Sequence, residues 1–231
     1  MTENTISHAL KDIRQRITRA AHKAHRAETD ISLVAVSKFH PRDSVEAALQ
    51  AGQRLFGENR VQEAASKFPP LRELWPDLKL HLIGGLQTNK AVEACRLADV
   101  IESLDRPSLS EALDKASQKV GHLPELLIQV NTGNEPQKFG IPLQEADIFI
   151  ENNLKRFGSH VKGLMAIPPQ HEDPQSHFRT LTALSRRHGL TVLSMGMSAD
   201  FEEAIAEGAT LVRVGSAIFG TRPPFSTDKT L

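Results

Sequence analysis

Short apolar runs alternate with helix-patterned stretches from about residue 31 to residue 220, and this alternation constrains the fold more than any other feature. The pattern predicts strands near Leu33–Ser37, Arg54–Glu58, Lys79–Ile83, Val100–Ser103, Leu126–Asn131, Val161–Met165, Leu190–Met195 and Leu211–Val214. Helical spacing separates them at Asp43–Ala51, Arg60–Leu74, Thr88–Leu97, Ser108–Lys119, Leu143–Lys155, Gln175–Arg187 and Ala199–Glu207, with a short last helix at Ser216–Phe219. Parallel strands need crossover connections, which helices supply. Such a run of units matches a single-domain α/β fold, the (β/α)8 TIM barrel, for which roughly 250 residues is typical. The chain has 231. A doubly wound open sheet would carry a glycine-rich phosphate turn after its first strand. Here that strand runs into Ser37-Lys38-Phe39-His40-Pro41, without a glycine, so the barrel is favoured.

Ahead of the alternation, Ile6, Leu10, Ile13, Ile17, Ala20, Ala21 and Ala24 form one helical stripe. Lys11, Arg14, Arg16 and Arg19 fall on its other, solvated face. Residues 1–30 thus read as an extra N-terminal helix docking on the barrel, 31–222 as the barrel and 223–231 as a loosely ordered tail. The polar stretch Pro168–Pro174 reads as a rim loop.

Composition narrows the function. Lys plus Arg is 28 and Asp plus Glu is 28, which gives no bulk electrostatic case for nucleic acid or an anionic membrane. Cys95 is the sole cysteine, so no intrachain disulfide or cysteine-based zinc site is expected, and Cys95 reads as a buried small hydrophobe. His171 and His177 have poor metal-ligand spacing. No run reaches the ~18–20 apolar residues of a membrane span, and the charged N-terminus does not resemble a secretory signal. The expectation is a reduced, cytoplasmic protein.

In a barrel the chemistry sits where strands end. Lys38 follows the first strand directly, where desolvation lowers an amine's pKa and lets it form a Schiff base. Its bland alternative is a lysine snorkelling from a strand end. Gly196 and Ser198, after the seventh strand, permit an unusual turn and a helix N-cap. Gly215 and Ser216 follow the eighth strand. Two such turns form the usual phosphate site of barrel enzymes, though each is also explained as a tight turn. A reactive lysine beside a phosphate cradle suggests a phosphorylated carbonyl: the substrate of a Schiff-base aldolase, or pyridoxal 5′-phosphate. Arg213 shares the inward face of Gly215 by period-two alternation and could donate to a pyridine nitrogen, or form an internal salt bridge. Glu58 and Glu63 flank Arg60 and read as a local charge cluster. Lys90 and Lys138 read as cations near strand ends.

Six blocks together resemble the pyridoxal phosphate homeostasis protein family (YggS/PROSC), which is alanine racemase N-terminal-domain-like. They are Leu33 to Lys38, Phe56 to Glu63, His81 to Lys90, Gln129 to Asn131 with Glu135 and Lys138, Gly163 to Met165, and Gly196 to Gly220. The resemblance implies pyridoxal phosphate held as an aldimine on Lys38, with Asn59 near the ring hydroxyl and His81 close to the cofactor. Ser198, Gly215 and Ser216 would hold the phosphate, and Arg213 would face the ring nitrogen. It implies a carrier or regulator of vitamin B6 and amino-acid balance without an established reaction, so no catalytic residue is expected. One small domain with open loops predicts, separately, a monomer whose exposed cofactor could be released or handed to apo-enzymes. Gly85 departs from the family's bulkier residue. The rival reading is a pyridoxal phosphate-dependent racemase or decarboxylase. Related racemases pair their lysine with a tyrosine, and this chain has no tyrosine; another acid, such as His81 or Glu58, could substitute.

Overall fold

Parallel strands covered on both faces must be apolar nearly throughout, and the strands here are buried along almost their whole length. The computed structural model describes residues 3–221. In chain order the elements are α1 (Glu3–Lys23), β1 (Ser32–Val36), α2 (Arg42–Gln50), β2 (Leu55–Glu58), α3 (Val61–Leu74) and β3 (Lys79–Leu82). Next come α4 (Ala91–Leu97), β4 (Val100–Leu104), α5 (Pro107–Val120), β5 (Glu125–Asn131), β6 (Ile141–Pro142) and α6 (Leu143–Phe157). The chain continues through β7 (Val161–Met165), α7 (Pro174–Arg187), β8 (Val192–Ser194), α8 (Phe201–Ala206), β9 (Leu211–Val214) and α9 (Ser216–Phe219).

Hydrogen bonding runs in the order β4-β3-β2-β1-β9-β8-β7-β5, and β5 returns to β4. Every pairing is parallel, so the strands close an eight-stranded barrel ringed by helices. At the seam between β1 and β9, Val34 pairs with Arg213 and Ala35 with Val214. β6 is an addition that the sequence pattern does not reveal. It is two residues long and pairs only with β5, outside the ring. The main core lies between strands and helices. A separate buried cluster, Val100, Leu127 and Met165, fills part of the barrel interior.

α1 buries Ile6, Leu10, Ile13, Ile17 and Ala21, the expected stripe. Its basic face is less solvated than the spacing suggests. Arg14 donates to Ala51 O and Gln53 Oε1, each at 3.2 Å. Arg16 pairs with Glu202 at 3.0 Å and lies over the Phe201 ring. Among the described residues, no helix is long and apolar enough to cross a membrane. The expected tail, 223–231, lies outside the described residues.

Candidate functional site

Alternation along β1 turns Val34 and Val36 into the barrel, where they approach Gly57 of β2. Lys38, two residues beyond Val36, lies half-buried at the barrel mouth. On β9 the same alternation turns Arg213 and then Gly215 inward. Lys38, Asn59, Ser198, Arg213, Gly215 and Ser216 all line one cleft of about 550 Å³. Gln129 and the partly exposed Phe139, Ile167 and Met197 complete its wall.

The turn after β8 differs from expectation. Ser198 does not cap a helix, because α8 starts only at Phe201. Asp200 closes the turn instead: its Oδ1 accepts from the Met197 amide at 2.6 Å, and its own amide donates to Met197 O. The Ser198 hydroxyl is left to face Ser216, whose Oγ donates to it at 3.5 Å. Gly196 makes the turn possible. Its φ is 86°, and a Cβ there would stand 2.5 Å from the Ala204 Cβ. Among the described residues, the amides of Ser198, Ala199 and Ser216 have no acceptor. A Cβ on Gly215 would lie 3.1 Å from Val36 O, so the floor of the cleft at the seam admits no side chain there without displacement.

His81 is the one predicted site residue that does not line the cleft. It lies a layer deeper, with Nδ1 2.6 Å from Glu102 Oε1. Ser194 Oγ donates to Glu102 Oε2 at 2.6 Å, and Arg213 Nη1 donates to Ser194 Oγ at 2.7 Å. Arg213 Nη2 donates to Ala166 O at 2.9 Å. Burial acts to raise the Glu102 carboxyl. The hydrogen bond and charge of His81, the Arg213 cation and the Ser194 bond overcome that and hold it below the ordinary range. Sequence reasoning missed Glu102 and Ser194. A signal existed for Glu102: alternation from Val100 places a carboxylate on the inward face of an apolar strand.

A second network lies outside the barrel wall, between β2 and α3. The spacing of Glu58 and Glu63 suggests a cluster around Arg60, but the structure centres it on Lys67. Lys67 Nζ lies 2.5 Å from Glu58 Oε1 and 2.9 Å from Glu63 Oε1, and donates to the carbonyls of Ser37 and His40. Arg60 instead sits 6.0 Å from the Phe39 ring centroid. Burial raises the Glu58 carboxyl, although Lys67 and Ser37 oppose the shift. Glu58 and His81, either of which is a candidate second acid for a racemase, both lie outside the lining of the cleft.

Asn59, Gly85 and Phe139 also wall an adjoining hollow of about 870 Å³ that carries Lys90 and Lys138. Lys90 pairs with Glu93 and Lys138 with Glu135. The Phe139 ring lies over Gly85, where a Cβ would meet it at 2.7 Å, which gives the unusual glycine a packing reason. Cys95 is buried, its thiol pushed up to about 11 by desolvation. Among the described residues, no cluster of His, Cys, Asp or Glu is arranged to hold a metal ion.

The family described as alanine racemase, N-terminal domain, matches residues 9–223. The pyridoxal phosphate homeostasis protein of Aquifex aeolicus (strain VF5) is 38% identical over 222 residues, 92% of this chain and 96% of that relative. The chain belongs to the pyridoxal phosphate homeostasis protein family. The Escherichia coli (strain K12) member of this family is 37% identical over 230 residues, 95% of this chain and 97% of its own. PipY of Synechococcus elongatus PCC7942, solved with PLP bound, superimposes with a TM-score of 0.80 at 36% identity. That match covers 93% of this chain and all of PipY. Alanine racemase from Bartonella henselae gives a TM-score of 0.72 at 16% identity, over 96% of this chain and 60% of the racemase. That likeness concerns the fold alone.

Proposed function

We propose that this member of the family binds pyridoxal 5′-phosphate reversibly on Lys38 and serves the intracellular homeostasis of that cofactor, as a monomeric cytoplasmic carrier. Residues 31–222 form the binding unit, with 1–30 docked on it. The observation that carries this reading is the convergence of Lys38, Arg213 and the Ser198 and Ser216 turns on one cleft. The residues present fit the cofactor. Amides without acceptors and two hydroxyls suit a phosphate. A buried Gln129 Oε1 without a partner awaits a donor.

When bound, pyridoxal phosphate supplies an aldehyde that condenses with a primary amine and loses water. Lys38 provides that amine. Ser198, Gly215 and Ser216 would hold the phosphate, and Asn59 would orient the ring hydroxyl. Arg213 would donate a hydrogen bond to the ring nitrogen and favour its unprotonated form, because a guanidinium only donates and holds its protons too tightly to pass one on. His81 acts from the layer below. Phe139 is 62% exposed at the cleft wall, so one side of the site opens to solvent, which suits hand-over to apo-enzymes.

The test is a visible absorption spectrum of the loaded protein before and after borohydride, with peptide mapping. A band near ~420 nm fixed by reduction onto Lys38 is expected of such an amine. Lys38→Ala is expected to lose the band and stay folded. A protein that pyridoxal phosphate cannot colour overturns the reading. Steady turnover of L- or D-amino acids by the loaded protein would replace the carrier with an enzyme.

A further inference from the structure

Below the cleft, a chain of buried side chains crosses the barrel: Arg213 on β9, Ser194 on β8, Glu102 on β4 and His81 on β3. Arg213 is 3% exposed, His81 5%, and Glu102 and Ser194 are fully buried. Elementary chemistry fixes the direction of every bond. A guanidinium only donates, so Ser194 Oγ accepts from Arg213 and spends its own proton on Glu102. An ionised Glu102 only accepts, so Nδ1 of His81 carries a proton. Nε2 is then the nitrogen left to gain or release one.

His81 also walls a second hollow of about 500 Å³, far from the cleft. This hollow lies where strands enter the barrel: Lys79 begins β3 and Glu125 begins β5. Lys79 and Asp99 face it from around β3 and β4, His122 and Glu125 from the start of β5, and His160 and Lys162 from the start of β7. The four-residue chain therefore runs from one end of the barrel to the other.

We propose that Glu102 is the positioning residue for Arg213, and that His81 couples their shared charge to the far end of the barrel. The proposal rests on the cleft being the pyridoxal phosphate site. A buried cation needs a counter-charge, and Glu102 is the carboxylate joined to Arg213, through one serine hydroxyl. Asp200, in the turn after β8, adds a second negative charge acting on Arg213. With neutral His81, Glu102 is shared with no other cation. With His81 protonated, it is divided between two cations, and the field of Arg213 on the cleft rises. The cation offered to the cofactor's ring nitrogen is thus tuned from the end of the barrel opposite the cofactor.

Two measurements on the full chain test this. In the cofactor-free protein, nitrogen-15 shifts of the His81 imidazole should report the Nδ1–H tautomer, and Glu102→Gln should abolish that signature. An Nε2–H tautomer in the parent overturns the proposal. In the protein loaded with pyridoxal 5′-phosphate, the pH midpoint of the visible band is the second readout. Ser194→Ala should move the midpoint and raise the dissociation constant roughly tenfold, as expected for loss of a charge-assisted link. Ser194→Thr, which restores the hydroxyl, should return both. His81→Gln should move the midpoint as well. Parent-like midpoints in Ser194→Ala and His81→Gln overturn the proposal even if Glu102→Gln fails to fold. If the parent itself forms no band, the cleft reading has failed, and the tautomer still decides whether Glu102 organises His81.

Discussion

The amide of Phe39 donates to Glu63 Oε1 at 2.6 Å, and Phe39 adopts a φ of 67°. The residue directly after Lys38 is thus held in the left-handed region, at a cost of about 1–2 kcal/mol for a non-glycine residue. Glu63 also binds Lys67, which donates to the carbonyls of Ser37 and His40 on either side of the turn. The backbone around Lys38 is therefore fixed by groups that never enter the cleft.

Glu63→Ala is expected to release this turn. A hydrogen bond to a charged group contributes about 1.5–3 kcal/mol, so pyridoxal phosphate retention should weaken roughly tenfold. Absorbance titration measures it. Parent-like affinity would show that the Phe39 turn holds itself.

Arg213→Ala and Ser198→Ala are each expected to raise the dissociation constant for pyridoxal phosphate, Arg213→Ala by more because it also strands the Glu102 carboxylate. Equilibrium dialysis is the check. If both variants hold the cofactor like the parent, the phosphate and ring assignments are wrong.

Two buried glutamates should give opposite pH dependences. Glu102 is held below the ordinary 4.5, so its contribution is whole above that value and is lost as pH falls through its lowered folded value. Glu58 is raised by burial, so its contribution is present below 4.5 and is lost as pH rises through its raised folded value. Denaturant unfolding of Glu102→Gln and Glu58→Gln, each compared with the parent at several pH values, reads both. The Glu102→Gln deficit should shrink on acidification. The Glu58→Gln variant should look best, relative to the parent, at neutral pH. Differences that move in the same direction would contradict the assignment.

Gly196→Ala should destabilise the protein by about 1–3 kcal/mol, because it combines a positive φ with overpacking against Ala204 and Phe201. Denaturant midpoints would report this. An unchanged midpoint would mean that the turn after β8 rearranges freely.

Most of the barrel was legible because each strand–helix unit carries its own local period. Val161–Met165 and Leu211–Val214 stand where the pattern places them. β6 was not legible, since two residues leave no period. Ser198 misled because Ser before Ala-Asp reads as a cap, whereas Asp200 organises the turn through the Met197 amide. Lys38, Arg213 and Ser216 are readable as residues of one barrel end because strand ends are searchable one at a time, and the three do line one cleft. Glu102, Ser194 and Lys67 were not, because their roles exist only after strands remote in sequence close into a ring. Ser194 and Glu102 are 92 positions apart.

α1 rests on α2, α8 and α9, the helices that flank the first and last strands of the ring. Arg16 reaches Glu202 across 186 residues of sequence, and Arg26 caps the carbonyls of Ile205 and Ala209. During synthesis, α2 follows the stripe of Ile6, Leu10, Ile13 and Ile17 closely, but the part of its cover that α8 and α9 supply does not exist until the last elements are made. At ~5–20 residues per second, the wait is on the order of ten to forty seconds. The first helix of the chain is thus among the last to be fully covered, and completion of the ring is what finishes its burial.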